Sequence, residues 1–424
     1  PYLVLETRGR AADFTARNGE KMHVDDLDPF EALRMAASAT RVTRDPSDGL
    51  PPFIGGGIGY LAYELGRSIE DLPGSAVDDL GLPELAFAFF DTVVALEHST
   101  GRKRLVVCSR KDSGGSEAIE RAMSRIAPGA GLEAGEGAVP PQASANGELR
   151  FECGFTPDEY IRAVKKVQEY ILAGDIYQAN LSQRFDAPLL EPAWSLYRRL
   201  RRLNAAPFSA YLNFGDFAVA SSSPERFLKV EGGTVQTRPI KGTSRRYADA
   251  TEDERSRQGL LESEKDRAEL SMIVDLERND LGRVCRYGSV TVDEHAVLES
   301  YATVHHLVST VSGELHEDRD LIDLLRATFP GGSITGAPKI RSMEIIDELE
   351  PTARSVYTGA IGYLGADGGH DLNVAIRTMI IRGGRVYFQV GGGIVADSVP
   401  EAEFQETLDK GKAMFDAVTG GMAA

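Results

Sequence analysis

Glu225 and Lys241 stand sixteen positions apart, a carboxyl group and an amine at the ends of two short strand-like runs. A neutral carboxyl can protonate a leaving group and a neutral amine can attack carbon, so the pair suits one small substrate approached from two sides. A surface glutamate and a turn lysine would look the same, because charged residues commonly close strands. Other candidates repeat at helical spacing. Asp266 and Glu269 are three apart, as are Glu403 and Glu406, and Lys410 follows Glu406 by one turn. Taken alone, Glu406 and Lys410 form an ordinary i,i+4 ion pair, and acidic pairs on helices are ordinarily solvated or paired with a lysine such as Lys265. Arg377 lies in the apolar run 371–382, where an unpaired charge is costly, so it needs a carboxylate from the protein or from a ligand. His305 and His306 point to opposite faces if 301–310 is a strand, and one of them should face inward.

The elements that must position these groups can be followed along the chain. Residues 217–220 read as a strand leading into the turn that presents Glu225, and 234–237 as a second strand delivering 239–243. Thr156, Pro157 and Glu159 form a capping box opening a helix whose apolar residues run to Leu172, and Gly174 ends it. Residues 174–182 then enter a sheet carrying Gln178. Residues 248–261 read as a charged surface loop entering a helix, and 265–276 as an amphipathic helix. Residues 329–339 form a glycine-rich turn opening a helix at 340–349. A nucleotide-binding phosphate loop would need Lys-Ser or Lys-Thr where Ala337-Pro338-Lys339 stands, so that reading fails. The exposed amides of such a turn still suit an anion, with Ser333 and Thr335 as hydroxyl donors. The last third reads as antiparallel sheet: 358–364, then 371–382 as one strand turning at Gly383-Gly384 into 385–390. Gly391, Gly392 and Gly393 would let a ligand approach the backbone, and 397–400 start a final helix over 401–417.

Residues 1–126 are mixed α and β, with strands at 2–5, 85–91 and 103–108, and a helix at 30–37 capped by Asp28 with Pro29 in its first turn. The glycines at 57–59 lack the βαβ context of a dinucleotide fold and read as close strand packing. A Gly-, Ala- and Pro-rich stretch at 127–149 is expected to be a connector, dividing an amino-terminal region (1–126) from a catalytic domain (150–424).

With 64 acidic against 47 basic residues the net charge is −17, which argues against nucleic acid and anionic membranes as partners. Three scattered cysteines provide neither a zinc site nor a disulfide framework, in keeping with a reducing compartment, and no run reaches membrane-spanning length. A cytoplasmic enzyme is expected.

Ser-Ser-Pro-Glu (222–225) followed by Pro-Ile-Lys-Gly-Thr (239–243), with Glu-Arg-Asn-Asp-Leu-Gly-Arg (277–283), resembles the chorismate-utilising enzymes over roughly 150–420. Within them it is similar to the aminodeoxychorismate synthase component I group, because the anthranilate synthase component I group usually carries Ala at the position of Lys241. The resemblance implies an α+β fold with two large, mostly antiparallel sheets facing each other and helices outside. It implies magnesium held by Glu269, Glu403 and Glu406, Glu225 as general acid and Lys241 as nucleophile. Gln178, Thr243, His306, Ser333, Thr335, Tyr357, Arg377, Gly391, Gly392, Gly393 and Lys410 are then expected at the substrate. Gln178 stands where water-adding members usually carry a lysine base, which favours an amine nucleophile. The implied reaction converts chorismate and ammonia to 4-amino-4-deoxychorismate, a folate precursor. Nothing glutaminase-like appears, so ammonia would come from glutamine through a separate amidotransferase subunit. The alternatives are anthranilate formation and a noncatalytic chorismate-binding subunit.

Overall fold

Runs of β-branched, aromatic and small residues dominate the chain and assemble into two large sheets. The computed structural model describes residues 1–39, 41–44, 49–108, 115–126, 149–301 and 304–420, side chains at 115–118 and 125–126 excepted. The expected connector at 127–149 lies outside the described residues except for Leu149.

The larger sheet has twelve strands and the smaller seven, and every pairing between the described strands is antiparallel. Ala360–Gly365 pairs on one side with His370–Val374 and on the other with Gly56–Leu61, so the larger sheet continues without a break into the amino-terminal strands. Glycine is needed at that seam. A Cβ on Gly59 would sit 2.0 Å from the Ala86 carbonyl oxygen, and one on Gly362 2.0 Å from that of Asp371.

Three packing layers follow. Tyr60, Ala86 and Ile361 of the larger sheet meet Phe217, Val219 and Ile380 of the smaller one, so the sheets face each other across an apolar layer. Outside the larger sheet lie helices Pro29–Ser38, Glu264–Gly282 and Leu321–Thr328. Outside the smaller sheet lie Ala193–Leu203 and Pro400–Thr419, joined by the capping-box helix Pro157–Ala173. The lone tryptophan, Trp194, lies on this outer side, 5.4 and 5.1 Å from the rings of Tyr197 and Tyr211. No helix among the described residues is long and apolar enough to cross a membrane.

Two expectations are corrected. Residues 371–382 are not one strand. His370–Val374 belongs to the larger sheet, Thr378–Arg382 to the smaller, and the chain crosses between them through Ala375, Ile376 and Arg377. Both pieces are buried, so the apolar run hides the break, and Arg377 occupies the crossover at a φ of +51° rather than a strand interior. Residues 248–261, read as mainly loop, are mostly the helix Ala250–Glu262, capped by Asp249.

Candidate active site

Glu225 follows the fully buried strand Phe217–Ser223, where small side chains let the backbone run through the middle of the smaller sheet. The residue is 4% exposed, and its carboxyl accepts a hydrogen bond from Ser333 Oγ at 2.6 Å. Burial pushes its pKa up to about 7, against the pull of that hydrogen bond and of the charges on Lys241 and Arg377. A carboxyl so placed can carry a proton at neutral pH.

Lys241 lies on Ile240–Arg245, a strand of the larger sheet paired with Val304–Glu314. The next residue, Gly242, has a φ of +83°, and a Cβ there would stand 2.9 Å from Asp266 Cβ. That close approach seats the strand on helix Glu264–Gly282, near Glu269. Burial drives the Lys241 pKa down and Lys410 adds to the fall, while Glu269, Glu225 and Glu406 oppose it. The amine is thereby moved toward its nucleophilic form.

Two of the three expected carboxylates, Glu403 and Glu406, lie beside Gly392. A Cβ there would lie 3.3 Å from Glu403 Oε2, 3.6 Å from Glu406 Oε1 and 3.6 Å from Lys410 Nζ. Burial raises Glu269 and Glu403, and Glu403 contributes to the rise in Glu269. Mutually unfavourable carboxylates beside open backbone are hard oxygen donors of the kind magnesium takes, so the residue types fit such an ion. As it stands, Glu403 accepts from Ser398 Oγ at 2.6 Å and Glu406 pairs with Lys410 at 2.6 Å. Among the described residues no three His, Cys, Asp or Glu side chains are drawn together closely enough to hold an ion.

The remaining expected residues divide. Arg377 donates to Asn204 Oδ1 at 3.2 Å, and among the described residues it has no carboxylate within ion-pair distance, Glu225 acting on it only through its field. Gln178 is fully buried, and neither of its amide atoms has a hydrogen-bond partner among the described residues. His306 and Thr243 are cross-strand neighbours joined at 2.8 Å, and burial lowers the histidine to about 4, so it is neutral. His305 is equally buried, between Ser300 and Asp253, because Val304–Glu314 is covered on both faces. Tyr357 is buried against the Arg354 guanidinium. Of the two hydroxyls, Ser333 Oγ is the one at Glu225, while Thr335 Oγ1 donates to the Gly331 carbonyl at 3.0 Å within its own turn. Of the three glycines, only Gly392 faces charged side chains. A Cβ on Gly391 would meet the Leu181 carbonyl at 2.5 Å and one on Gly393 the Gln178 amide at 2.0 Å, so these two serve packing between neighbouring strands.

Sequence reasoning passed over Glu277. It is buried, burial and then Asp280 hold its carboxyl well above the usual range, and Oε2 has no partner among the described residues. Asp280 pairs with Lys339. The stretch 277–283 marked the region, but nothing in its spacing distinguishes Glu277 from the solvated acids around it.

Comparison with known proteins accords with this geometry. A family model described as chorismate binding enzyme matches residues 5–416. Aminodeoxychorismate synthase component 1 of Klebsiella aerogenes is 43% identical over 97% of this chain and 87% of that protein. Anthranilate synthase component 1 of Streptomyces coelicolor is 44% identical over 94% of this chain and 78% of that protein. The crystal structure of anthranilate synthase component I from Streptococcus pneumoniae superposes with a TM-score of 0.83 at 32% identity, covering 98% of this chain and 90% of that one. The chain belongs to the chorismate-binding enzymes. More narrowly, it is a chorismate-utilising enzyme of the anthranilate and aminodeoxychorismate synthase family, and overall identity to the two groups is nearly equal.

Proposed function

We propose that the chain acts as an aminodeoxychorismate synthase component I, converting chorismate and ammonia to 4-amino-4-deoxychorismate and water. The observation that carries the reading is the lysine at 241, its amine moved toward neutrality within the field of a carboxyl that holds a proton near pH 7. An alanine there could form no adduct. In this reading Arg377 and Lys410 bind substrate carboxylate, with Lys410 released from Glu406. Glu225 gives its proton to the departing ring hydroxyl, which leaves as water. Lys241 Nζ forms a bond to the ring carbon it attacks, and ammonia then bonds at the carbon that lost the hydroxyl as the Nζ–carbon bond breaks. Magnesium, held by Glu269, Glu403 and Glu406, would supply countercharge to the ring carboxylate. Gln178 has no acid–base function at neutral pH, so it does not activate water. Ammonia would reach the site from glutamine through a partner amidotransferase subunit, as the "component 1" in the relatives' names suggests. A cytoplasmic setting accords with this chemistry.

The test is product analysis by mass spectrometry after incubation with chorismate, magnesium and high ammonium, with and without aminodeoxychorismate lyase. Aminodeoxychorismate, convertible by the lyase to 4-aminobenzoate, is the expected product, and Lys241→Ala should lose any covalent intermediate. Release of anthranilate and pyruvate would overturn the assignment in favour of the sister activity.

A further inference from the structure

Arg354 is buried, and its five N–H donors all have partners inside the protein. Nε and Nη2 hold the Glu350 carboxylate at 2.8 and 2.6 Å. Nη1 donates to the Ile334 carbonyl at 3.1 Å and to Thr358 Oγ1 at 3.3 Å, and Nη2 to the Asn180 carbonyl at 2.7 Å. No donor is left for a substrate anion, so any effect on the reaction must pass through those partners.

The partners lead to the acid. Ile334 follows Ser333, whose hydroxyl donates to Glu225. Asn180 Nδ2 donates to the Ser333 carbonyl at 3.1 Å, and Asn180 N to the Thr335 carbonyl at 2.8 Å. Glu350 Oε1 also accepts from Ser182 N at 2.7 Å. One guanidinium therefore fixes both the turn that carries Ser333 and the strand against which that turn closes.

The segment carrying Arg354 is strained. Ser355 and Thr358 both take left-handed backbone, with φ of 55° and 59°. Such residues are energetically unfavourable and persist where their surroundings over-determine them. The over-determination comes from the turn Tyr63–Ser68 of the amino-terminal stretch. Glu64 accepts from Arg354 N at 2.7 Å and Ser355 N at 2.9 Å, one amide to each oxygen. Tyr63 N donates to the Ser355 carbonyl at 2.8 Å, and the Tyr63 ring lies 4.7 Å from the guanidinium.

We propose that Arg354 is a positioning residue for the Glu225 acid, acting through Ser333, and that Glu64 holds Arg354 in place from the amino-terminal stretch. The inference rests on the reading of Glu225 as proton donor. The groups that set the Glu225 proton are Lys241 and Arg377, which favour its ionised form, Glu277, which opposes ionisation, and the Ser333 hydroxyl. Loosening the Ser333 hydrogen bond removes a stabiliser of the carboxylate. The basic limb of the rate profile should then move to higher pH while the plateau falls.

The test compares Arg354→Lys, Glu64→Gln and Ser333→Ala with wild type in the ammonia-dependent reaction across pH, with circular dichroism and thermal melting as folding controls. Lys keeps the charge and loses the fork, and Gln can accept only one of the two amides. Arg354→Lys should lower kcat about tenfold or more with KM within about twofold of wild type, and should move the basic limb upward. Glu64→Gln should do the same to a smaller degree. Arg354→Lys combined with Ser333→Ala should be no slower than the slower single variant, because both act on one contact. If Arg354→Lys does not fold, Glu64→Gln decides. Folded variants with wild-type kcat and pH limb, or changes confined to KM, overturn the proposal. Failure of the underlying reading is separate: Glu225→Gln would then retain wild-type turnover and pH profile, and the positioning argument would fall with it.

Discussion

Burial shifts two ionisable side chains of the candidate site in opposite senses. Glu225 is moved up and Lys241 down, so the range in which the acid keeps its proton and the range in which the amine sheds one are brought toward each other. For catalysis the sign is direct: kcat/KM should fall as pH rises through about 7, where Glu225 ionises, and Glu225→Gln should be inactive with chorismate binding retained. For stability the sign is the reverse of the usual carboxylate. The folded pKa lies above the unfolded value, so folding is favoured below about 4.5 and stability declines as pH rises toward about 7. Glu225→Gln should flatten that decline by roughly 3 kcal/mol at most, measured as denaturant unfolding at pH 5 and pH 8. A wild-type slope in the variant would mean Glu225 is already ionised in the fold. Lys241→Arg, which keeps a cation that cannot deprotonate, should bind chorismate with no more than trace turnover.

At the scale of elements, local signals were legible and sheet membership was not. Thr156 with Glu159 and Asp28 with Pro29 each cap the helix that their chemistry announces, because the relevant partners are within four residues. The crossover at Ala375–Arg377 leaves no such mark, since the residues before and after it are buried apolar in both sheets. Ser333 and Glu225 meet across 108 positions, and Arg354 and Glu64 across 290, distances over which periodicity carries no information. The glycine run shows the same limit. Its composition suggested open backbone, but which glycine is open depends on the neighbouring strand. Gly391→Ala should be the most damaging, by about 1–3 kcal/mol in thermal or denaturant unfolding, because the added methyl meets the Leu181 carbonyl. Gly393→Ala pushes against the Gln178 amide and should cost less. Gly392→Ala should cost least, because its added methyl meets only the ends of the Glu403, Glu406 and Lys410 side chains, and under the proposed magnesium reading it should weaken the response to magnesium. Equal losses of stability at all three would contradict the assignment.

On the scale of the whole molecule, the amino-terminal strands are part of the larger sheet, the one that carries Lys241. Pairing of Ala360–Gly365 with Gly56–Leu61 means that residues 150–424 alone would present a long, apolar, unpaired edge. Expressed separately, that fragment should be insoluble or associate, and sedimentation of the soluble fraction would show it; a monomeric, active fragment would refute this account of the fold. The placement of Trp194 has a spectroscopic consequence. Being the sole tryptophan and lying against Tyr197 and Tyr211 on the outer side of the smaller sheet, it makes indole emission a report on that layer alone. Loss of the larger sheet would pass unseen at 340 nm or so and appear only in far-ultraviolet ellipticity, so agreement between the two signals during denaturation would be direct evidence that both layers melt as one cooperative unit.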